Sequence, residues 1–183
     1  LSSTLLIVIL ILSLIVQSSG CIGLALSHVF YHNGTLVYGG GNVGLMGVIA
    51  DTVMRGGGKV VGVIPQALAD REIANIGVTD LRVVDSMHTR KAMMAELSDA
   101  FIAMPGGFGT LEEIAEVMTW TQLGVHAKPC GFLNVDGFYD PLLKLFDTMV
   151  DVGLLKESNR SIALAHAEPA GLLRLLADWH AEV

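Results

Sequence analysis

The chain has 183 residues, of which 52% are hydrophobic and 16% are charged. This composition excludes a disordered protein and predicts one domain spanning residues 1–183 with a sizeable core. The formal net charge of -7, from 18 acidic and 11 basic residues, argues against a general nucleic-acid-binding protein, which is more often basic. A small anionic ligand remains compatible with this charge, because a few local donors outweigh the net field.

The first twenty residues contain an apolar run, Leu5–Val16, that has two interpretations. Twelve residues are too few to span a membrane, which takes about 20, so no stable membrane association is expected. The run resembles the apolar part of a signal peptide, with small residues before Cys21, but it lacks a positively charged start. We favour a buried first strand of a parallel sheet, which also reads as a continuous Leu/Ile/Val run.

Strand-like and helix-like segments alternate along the rest of the chain. Strands are predicted at residues 35–38, 59–64, 81–84, 100–104, 129–133 and 161–164. Helices are predicted at residues 21–32, 43–55, 66–75, 87–97, 111–123, 138–151 and 168–181. This alternation predicts an α/β fold, a Rossmann-like doubly wound parallel sheet of about six or seven strands with helices on both faces. Ligands of such sheets bind beyond the carboxyl ends of the strands.

The first glycine-rich turn after a predicted strand is Gly39-Gly40-Gly41-Asn42-Val43-Gly44. It matches the GxGxxG pattern of dinucleotide-binding folds. The acidic residue that should end the next strand is missing, because that strand ends Ile64-Pro65-Gln66, and NAD binding is therefore disfavoured. Gly44 and Gly47 are explained by a tight turn and close helix packing. Three consecutive glycines, Gly39, Gly40 and Gly41, exceed that need and indicate a backbone that approaches a ligand.

The second glycine-rich turn, Pro105-Gly106-Gly107-Phe108-Gly109-Thr110, precedes a predicted helix. Its glycines allow successive backbone N–H groups to point into one concavity, and the helix adds its positive end. A phosphate group would bind there without a lysine. No Gly-Lys-Ser/Thr follows, so the turn is not a Walker A loop.

Two interpretations compete for the segment Thr110-Leu111-Glu112-Glu113. It is a capping box if Thr110 caps the helix and Glu113 bonds back to the cap N–H. Alternatively, Glu113 lies one turn into a helix that points at the ligand, where its carboxylate reaches the sugar of a nucleotide. Glu116 either contributes to the same site or is solvated.

Another predicted helix begins within Asp85–Lys91, again after a strand. Arg90 and Lys91 supply cationic donors for a phosphate or a base. The alternative is an exposed helix start with Ser86 as N-cap, and His88 is either a general acid or a surface residue. No cluster has metal-ligand spacing, so no metal is expected. Cys21 and Cys130 show no CxxC spacing, which predicts free thiols in a reducing, cytoplasmic compartment.

Four segments of this chain together resemble one family. They are YGGGNVGLMG (38–47), VVGVIP (60–65), SMHTRKAMMAELSDAFIAMPGGFGTLEE (86–113) and NVDGFYDPL (134–142). These segments are similar to the Lonely Guy (LOG) family, the cytokinin-activating nucleoside 5′-monophosphate phosphoribohydrolases, often labelled lysine decarboxylase-like. The resemblance extends from about Leu36 to Leu155 and implies a Rossmann-like fold and a homodimer. The segment before Leu36 matches the family poorly.

The resemblance also implies an activity and a set of site residues. The family cleaves the N-glycosidic bond of AMP-like nucleoside monophosphates, including N6-prenylated ones, and releases free base and ribose 5-phosphate. Arg90 and Glu113 would be the catalytic pair. The substrate and its phosphate would contact residues of both glycine turns and of the segment that begins at Asp85: Gly39, Gly40, Gly41, Met87, Lys91, Gly106, Gly107, Gly109 and Thr110.

Two other functions stay open on sequence grounds. One is a non-catalytic protein of the same fold that binds a nucleotide or a molybdopterin-type phosphate ligand. The weaker one is single-strand nucleic-acid binding, which the acidic charge and sparse aromatic residues disfavour. Lysine decarboxylation would require pyridoxal phosphate on a buried lysine, and no lysine has a convincing position for it, so no cofactor is expected.

Overall fold

The computed structural model describes residues 28–32, 35–71 and 74–180. The strands are β1 (His28–His32), β2 (Thr35–Tyr38), β3 (Lys59–Pro65), β4 (Asp80–Val84), β5 (Ala100–Ala103), β6 (Cys130–Leu133) and β7 (Ala163–His166). The helices are α1 (Gly44–Arg55), α2 (Gln66–Ala69), α3 (Met87–Glu96), α4 (Phe108–Gln122), α5 (Asp140–Asp151), α6 (Glu157–Arg160) and α7 (Pro169–Asp178). A short 3-10 turn, Val135–Gly137, follows β6.

The strands form one seven-stranded sheet in the order β4-β3-β2-β1-β5-β6-β7. Two parallel three-stranded halves, β2 to β4 and β5 to β7, flank β1. Strand β1 runs antiparallel to both of its neighbours, with Phe30 opposite Val37 and Phe101. The predicted α/β, Rossmann-like class is confirmed, whereas the expectation of an entirely parallel sheet is wrong at β1.

Two predicted helices in the first half of the chain differ substantially from the structure. The helix predicted at residues 21–32 is wrong at its end, because His28–His32 form β1. The strand predicted at Leu5–Val16 lies outside the described residues. The helix predicted at 66–75 is limited to α2, Gln66–Ala69. The chain beyond it returns to the first glycine turn, where the Asn75 N–H donates to the Gly40 carbonyl at 2.8 Å. Tertiary pairing therefore overrides the local helix preference there.

Helices cover both faces of the sheet, as a doubly wound fold requires. On one face, apolar side chains of α1 and α7, including Ile49 and Leu172, pack on β2, β3 and β5. On the other face, α3, α4 and α5 pack on the same sheet through residues such as Met94, Ile114 and Phe146. Burying an apolar side chain of this size contributes about 1.5–3 kcal/mol. Among the helices that the structure describes, none combines the length and the hydrophobicity that a membrane span requires.

The turn after β2 packs closely against β3. Gly40 has a φ of +72°, in the left-handed region that favours glycine. A Cβ at Gly40 would lie 2.9 Å from Cβ of Ile64, and one at Gly62 would lie 2.9 Å from Cα of Gly40. The glycine turn is thus held against β3 at a distance that side chains do not permit.

We expect Gly40→Ala to lower the free energy of unfolding by about 2–4 kcal/mol, because it adds both left-handed strain and a steric overlap. Gly57→Ala is the matched control, since Gly57 has a φ of +77° but open space around its would-be Cβ. In the control, the free energy of unfolding should fall only by the cost of the left-handed strain, about 1–2 kcal/mol. Urea unfolding measures both, and equal losses would contradict the close packing of this turn.

His126 lies half-buried beyond α4, with its ring 5.2 Å from that of Phe101 between centroids. Its Nδ1 accepts a hydrogen bond from the Lys128 N–H at 3.3 Å, while Nε2 is buried without a hydrogen-bond partner among the described residues. Burial, helped by the positive charge of Lys128, lowers the pKa of His126 below its ordinary value of 6.5. The folded protein therefore resists protonation of this ring.

This direction fixes a pH dependence of stability. The unfolded chain binds the proton at His126 more readily, so the free energy of unfolding should fall as pH decreases from about 6.5 toward the lowered pKa. Urea unfolding between pH 5 and pH 8 tests this. In His126→Gln that decline should be shallower, and an unchanged slope would show that His126 is not its source.

Candidate active site

The polar and glycine-rich loops predicted from the sequence lie at one edge of the sheet. Strands β2, β3, β4 and β5 are followed in turn by Gly39, Gln66, Asp85 and Met104. The carboxyl ends of β2 and β5 flank β1, where the two halves of the sheet diverge. In open α/β sheets, ligands bind in the crevice at such a topological switch point.

Arg90 is the residue that joins these loops. It lies in the second turn of α3, and its side chain is only 5% exposed. Its Nε donates to the carbonyl oxygen of Val63 in β3 at 3.2 Å, and its Nη1 donates to Oε1 of Glu113 in α4 at 2.7 Å. A Cβ on Gly39 would overlap the guanidinium, so the first glycine turn leaves room for this side chain.

Glu113 faces Arg90 from the second turn of α4, with its side chain 7% exposed. The two residues are 23 positions apart in sequence, so their ion pair connects two helices that follow different strands. A buried pair of this kind is costly to break, by about 3–5 kcal/mol, because the remaining charge loses its partner. Sequence reasoning selected both residues but not the Val63 carbonyl, since a backbone group leaves no trace in the sequence.

The helix that carries Glu113 begins earlier than predicted. Its N-cap is Gly107, so Thr110 lies at the third helical position and is fully buried. The capping-box interpretation is therefore wrong, because it requires Thr110 itself at the cap. The amides of Phe108 and Gly109 lie in the first turn, where an α-helix offers them no backbone acceptor. Among the described residues, nothing lies within 4 Å of a would-be Cβ on Gly107, which leaves open space at this helix end.

Lys91 makes a second link between α3 and α4. Its ammonium group contacts the carboxylates of Glu112 and Glu116, the latter at 3.0 Å. Burial acts to lower the pKa of Lys91, but the hydrogen bonds and charges of the two glutamates outweigh it and raise the pKa above its ordinary value. Glu112 and Glu116 are four residues apart and share one face of α4, a spacing that could have indicated a common cation.

Helix α3 has the exposed start with Ser86 as N-cap that was one of the two predictions from the sequence. Ser86 is the N-cap, with its Oγ accepting from the Thr89 N–H at 3.1 Å. Thr89 also donates to the carboxylate of Asp85, and this bond is the main reason that the pKa of Asp85 is lowered. Met87 is the first residue of α3 and is 43% exposed, and His88 is exposed beside it.

Gly41 and Gly106 lie in the two loops that border this edge of the sheet. Gly41 pairs in an isolated bridge with Ala74, and Gly106 is half-buried between Met104 and the start of α4. The structure thus brings Gly39, Arg90 and Glu113 into direct proximity, and it places Lys91 on the two neighbouring glutamates. Over the ranges 28–32, 35–71 and 74–180, no group of His, Cys, Asp and Glu side chains could hold a metal ion.

The fold and these strand-end loops place the chain among the Rossmann-like α/β proteins. The family model described as possible lysine decarboxylase matches residues 46–176. The chain is 54% identical over 151 residues to the probable cytokinin riboside 5′-monophosphate phosphoribohydrolase LOGL1 of Oryza sativa subsp. japonica, covering 81% of this chain and 68% of that protein. The chain therefore belongs to the LOG family.

Three further relatives are also named as cytokinin riboside 5′-monophosphate phosphoribohydrolases, one of them as a probable one. The chain is 51% identical over 144 residues to the cytokinin riboside 5′-monophosphate phosphoribohydrolase LOG2 of Arabidopsis thaliana, covering 79% of this chain and 68% of the relative. It is also 51% identical over 144 residues to LOG of Oryza sativa subsp. japonica, covering 79% of this chain and 60% of that relative. Against LOGL2 of the same species the covered share of the relative is 59%. The chain thus spans somewhat under two thirds of some of these proteins.

A double-mutant cycle tests the Arg90–Glu113 pair. We expect Arg90→Met to lower the free energy of unfolding by about 3–5 kcal/mol, because Glu113 then loses its guanidinium partner while buried. The double variant Arg90→Met/Glu113→Leu should be more stable than Arg90→Met alone, since both charges are then removed together. Lys91→Met, whose partner Glu112 is 57% exposed, should cost about 1 kcal/mol. Urea unfolding of Arg90→Met, Glu113→Leu and the double variant measures the coupling, and simple additivity of Arg90→Met and Glu113→Leu would show that the pair is not coupled.

Proposed function

We propose that this chain hydrolyses the N-glycosidic bond of nucleoside 5′-monophosphates and releases free base and ribose 5-phosphate. The observation that carries the proposal is the buried Arg90–Glu113 ion pair, which lies one turn behind the glycine-rich start of α4. The relatives are identical to this chain at about half of the aligned positions, and their names support the same reaction. Cytokinin-type and other purine monophosphates are the proposed substrates.

The start of α4 is the proposed site for the phosphate. Backbone amides of Gly107 to Thr110, together with the positive end of the helix, suit an oxyanion that carries two charges. Gly107 leaves the open space that such a group needs. Because α4 rises 1.5 Å per residue, Glu113 lies about 5 Å further along the axis than Thr110. A phosphate on the first turn would thus leave the attached sugar within range of the Glu113 carboxylate.

Glu113 is the proposed catalytic carboxylate. Cleavage proceeds through an oxocarbenium-like sugar, which a negative charge stabilises. As the carbon–nitrogen bond breaks, the base nitrogen takes the bonding electron pair and a proton, and water supplies a hydroxyl to the anomeric carbon. Glu113 offsets the positive charge on the sugar and orients that water. Tight binding of the remote phosphate holds the ribose in place for the attack.

Arg90 is proposed to orient Glu113 rather than to bind the phosphate. Two of its three guanidinium nitrogens already bond Val63 and Glu113, and Gly39 packs against the third. These contacts fix the carboxylate in one position before substrate enters. This role differs from the phosphate or base contact that the cationic charge alone suggests.

Two alternative functions fit the side chains less well. A nucleotide- or molybdopterin-type binding protein needs the amides of α4 but has no use for a buried carboxylate held by an arginine. Lysine decarboxylation needs a lysine that loses its proton to form a Schiff base. Lys91 is the lysine nearest to the site, and its two glutamate partners raise its pKa, which opposes that chemistry.

A homodimer is proposed as the working form, in line with the family resemblance. Exposed apolar side chains near the end of α4 and after α5 support an interface between copies. They include Leu123, Val125 and Leu154, each more than half exposed. A cytoplasmic location stays a prediction that rests on the cysteine usage.

The decisive experiment compares Glu113→Gln with Glu112→Gln on AMP and on isopentenyl-AMP, with free base measured by chromatography. Glu113→Gln removes the negative charge at the sugar, and we expect base release to fall by about 10²- to 10³-fold while AMP still binds. Glu112→Gln changes the adjacent, exposed carboxylate and should stay within about fivefold of the unaltered chain. Native turnover by Glu113→Gln would contradict the catalytic assignment, and no base from the unaltered chain would favour the binding protein.

A further inference from the structure

The segment Asn134–Leu142 was part of the family resemblance, yet nothing in the proposed reaction uses it. It connects β6 to α5 and lies outside the loops that carry Arg90 and Glu113. Its side chains nevertheless reach the strand that leads into the phosphate-binding turn. Tyr139 is only 1% exposed, and its hydroxyl donates a hydrogen bond to the carbonyl oxygen of Met104.

Met104 connects β5 to the glycine-rich turn that begins α4. It follows the last residue of β5 that pairs with β6, Ala103, and it precedes Pro105. Pro105 has no N–H to bond, and Gly106 and Gly107 are conformationally permissive. Pro105 fixes one φ angle, but the two glycines leave the rest of the turn adaptable, so anchors at its two ends limit its shape. Helix α4 supplies one anchor, where the Leu111 N–H donates to the Gly107 carbonyl at 3.2 Å.

Tyr139 supplies the anchor at the other end. Its bond to Met104 spans 35 positions of sequence and crosses from the β6–α5 connection to the end of β5. The buried Met104 carbonyl, beyond the paired part of the strand, is held by this hydroxyl in a fixed direction. The chain therefore enters Pro105 and Gly106 along one path.

The segment between β6 and α5 is folded so that Tyr139 points to this carbonyl. Asp136 and Gly137 both adopt the left-handed conformation, with φ of 50° and 72°. The Asn134 side chain accepts from the Tyr139 N–H at 2.7 Å and donates to Asp140 at 2.7 Å. The Tyr139 ring also packs against Phe132, with the ring centroids 5.0 Å apart. The backbone of Tyr139 is thus held by Asn134, and its ring is held by Phe132.

We propose that Tyr139 is a positioning residue for phosphate binding, acting through the Met104 carbonyl on the turn that begins α4. This inference rests on the proposed function, in which that turn binds the phosphate of the substrate. Tyr139 does not touch the substrate. It preorganises the backbone amides of Gly107 to Thr110, and its loss costs affinity for phosphate-bearing ligands.

Calorimetric titration with ribose 5-phosphate tests the inference on folded protein. Tyr139→Phe keeps the ring and removes the hydroxyl, and we expect the Kd for ribose 5-phosphate and the KM for AMP to rise about tenfold. Tyr38→Phe is the matched control. It removes the hydroxyl of another fully buried tyrosine, which lies in β2 and not between β6 and α5, and should leave both constants within about twofold.

The outcomes separate this role from a purely structural one. If Tyr139→Phe lowers only the unfolding midpoint and the folded protein binds ribose 5-phosphate as before, the inference is overturned. If Tyr139→Phe does not fold, Asn134→Ala replaces it, because that change frees the Tyr139 N–H. It should then weaken ribose 5-phosphate binding about threefold, and unchanged binding would overturn the inference equally.

Failure of the proposed function is distinguishable from failure of this inference. If the unaltered chain binds ribose 5-phosphate but releases no base from AMP, the reaction is wrong, while the comparison of Tyr139→Phe with Tyr38→Phe still decides the role of Tyr139. If the unaltered chain does not bind ribose 5-phosphate, there is no phosphate site for Tyr139 to position, and the inference is wrong.

Discussion

The buried ion pair between Arg90 and Glu113 is the interaction on which the rest of the site depends. One guanidinium bonds a carboxylate on α4 and a backbone carbonyl on β3, and it packs against a glycine after β2. Two buried opposite charges are stable only when geometry and hydrogen bonds compensate for their loss of water. That requirement explains why the glycine turn must be free of a side chain at Gly39, where a Cβ would overlap the guanidinium.

Further contacts around this pair hold the elements of the site in place. Glu113 is oriented by Arg90, Lys91 fixes the neighbouring glutamates of α4, and Tyr139 holds the strand that leads into the glycine turn. Each of these contacts joins segments distant in sequence, and together they leave α4 little freedom to shift or rotate. In the proposed reaction, the amides of α4 and the Glu113 carboxylate would act on the same molecule, and this rigidity would keep them in register.

Sequence patterns predicted most strands and helices, since apolar runs and glycine turns mark them locally. The antiparallel β1 was missed, although Asn33-Gly34 between VFYH and TLVY is a strong hairpin signal. The start of α4 was placed too late, because Gly109 is a poor helix former and Thr110 resembles a cap. Arg90 and Glu113 were identified by motif. The contact of Arg90 with the Val63 carbonyl and the contact of Tyr139 with Met104 were not predicted. Both depend on which distant segments the fold brings together.

The second ionic contact, of Lys91 with Glu112 and Glu116, affects the electrostatics around the start of α4. These residues and the Arg90–Glu113 pair contribute three negative and two positive charges, so the side chains around the start of α4 do not attract an anion from afar. Attraction for a phosphate group would then come from oriented backbone dipoles, which act only at contact range. A nucleotide would be selected by the fit of its oxygens to those amides rather than by the charge of the surrounding side chains.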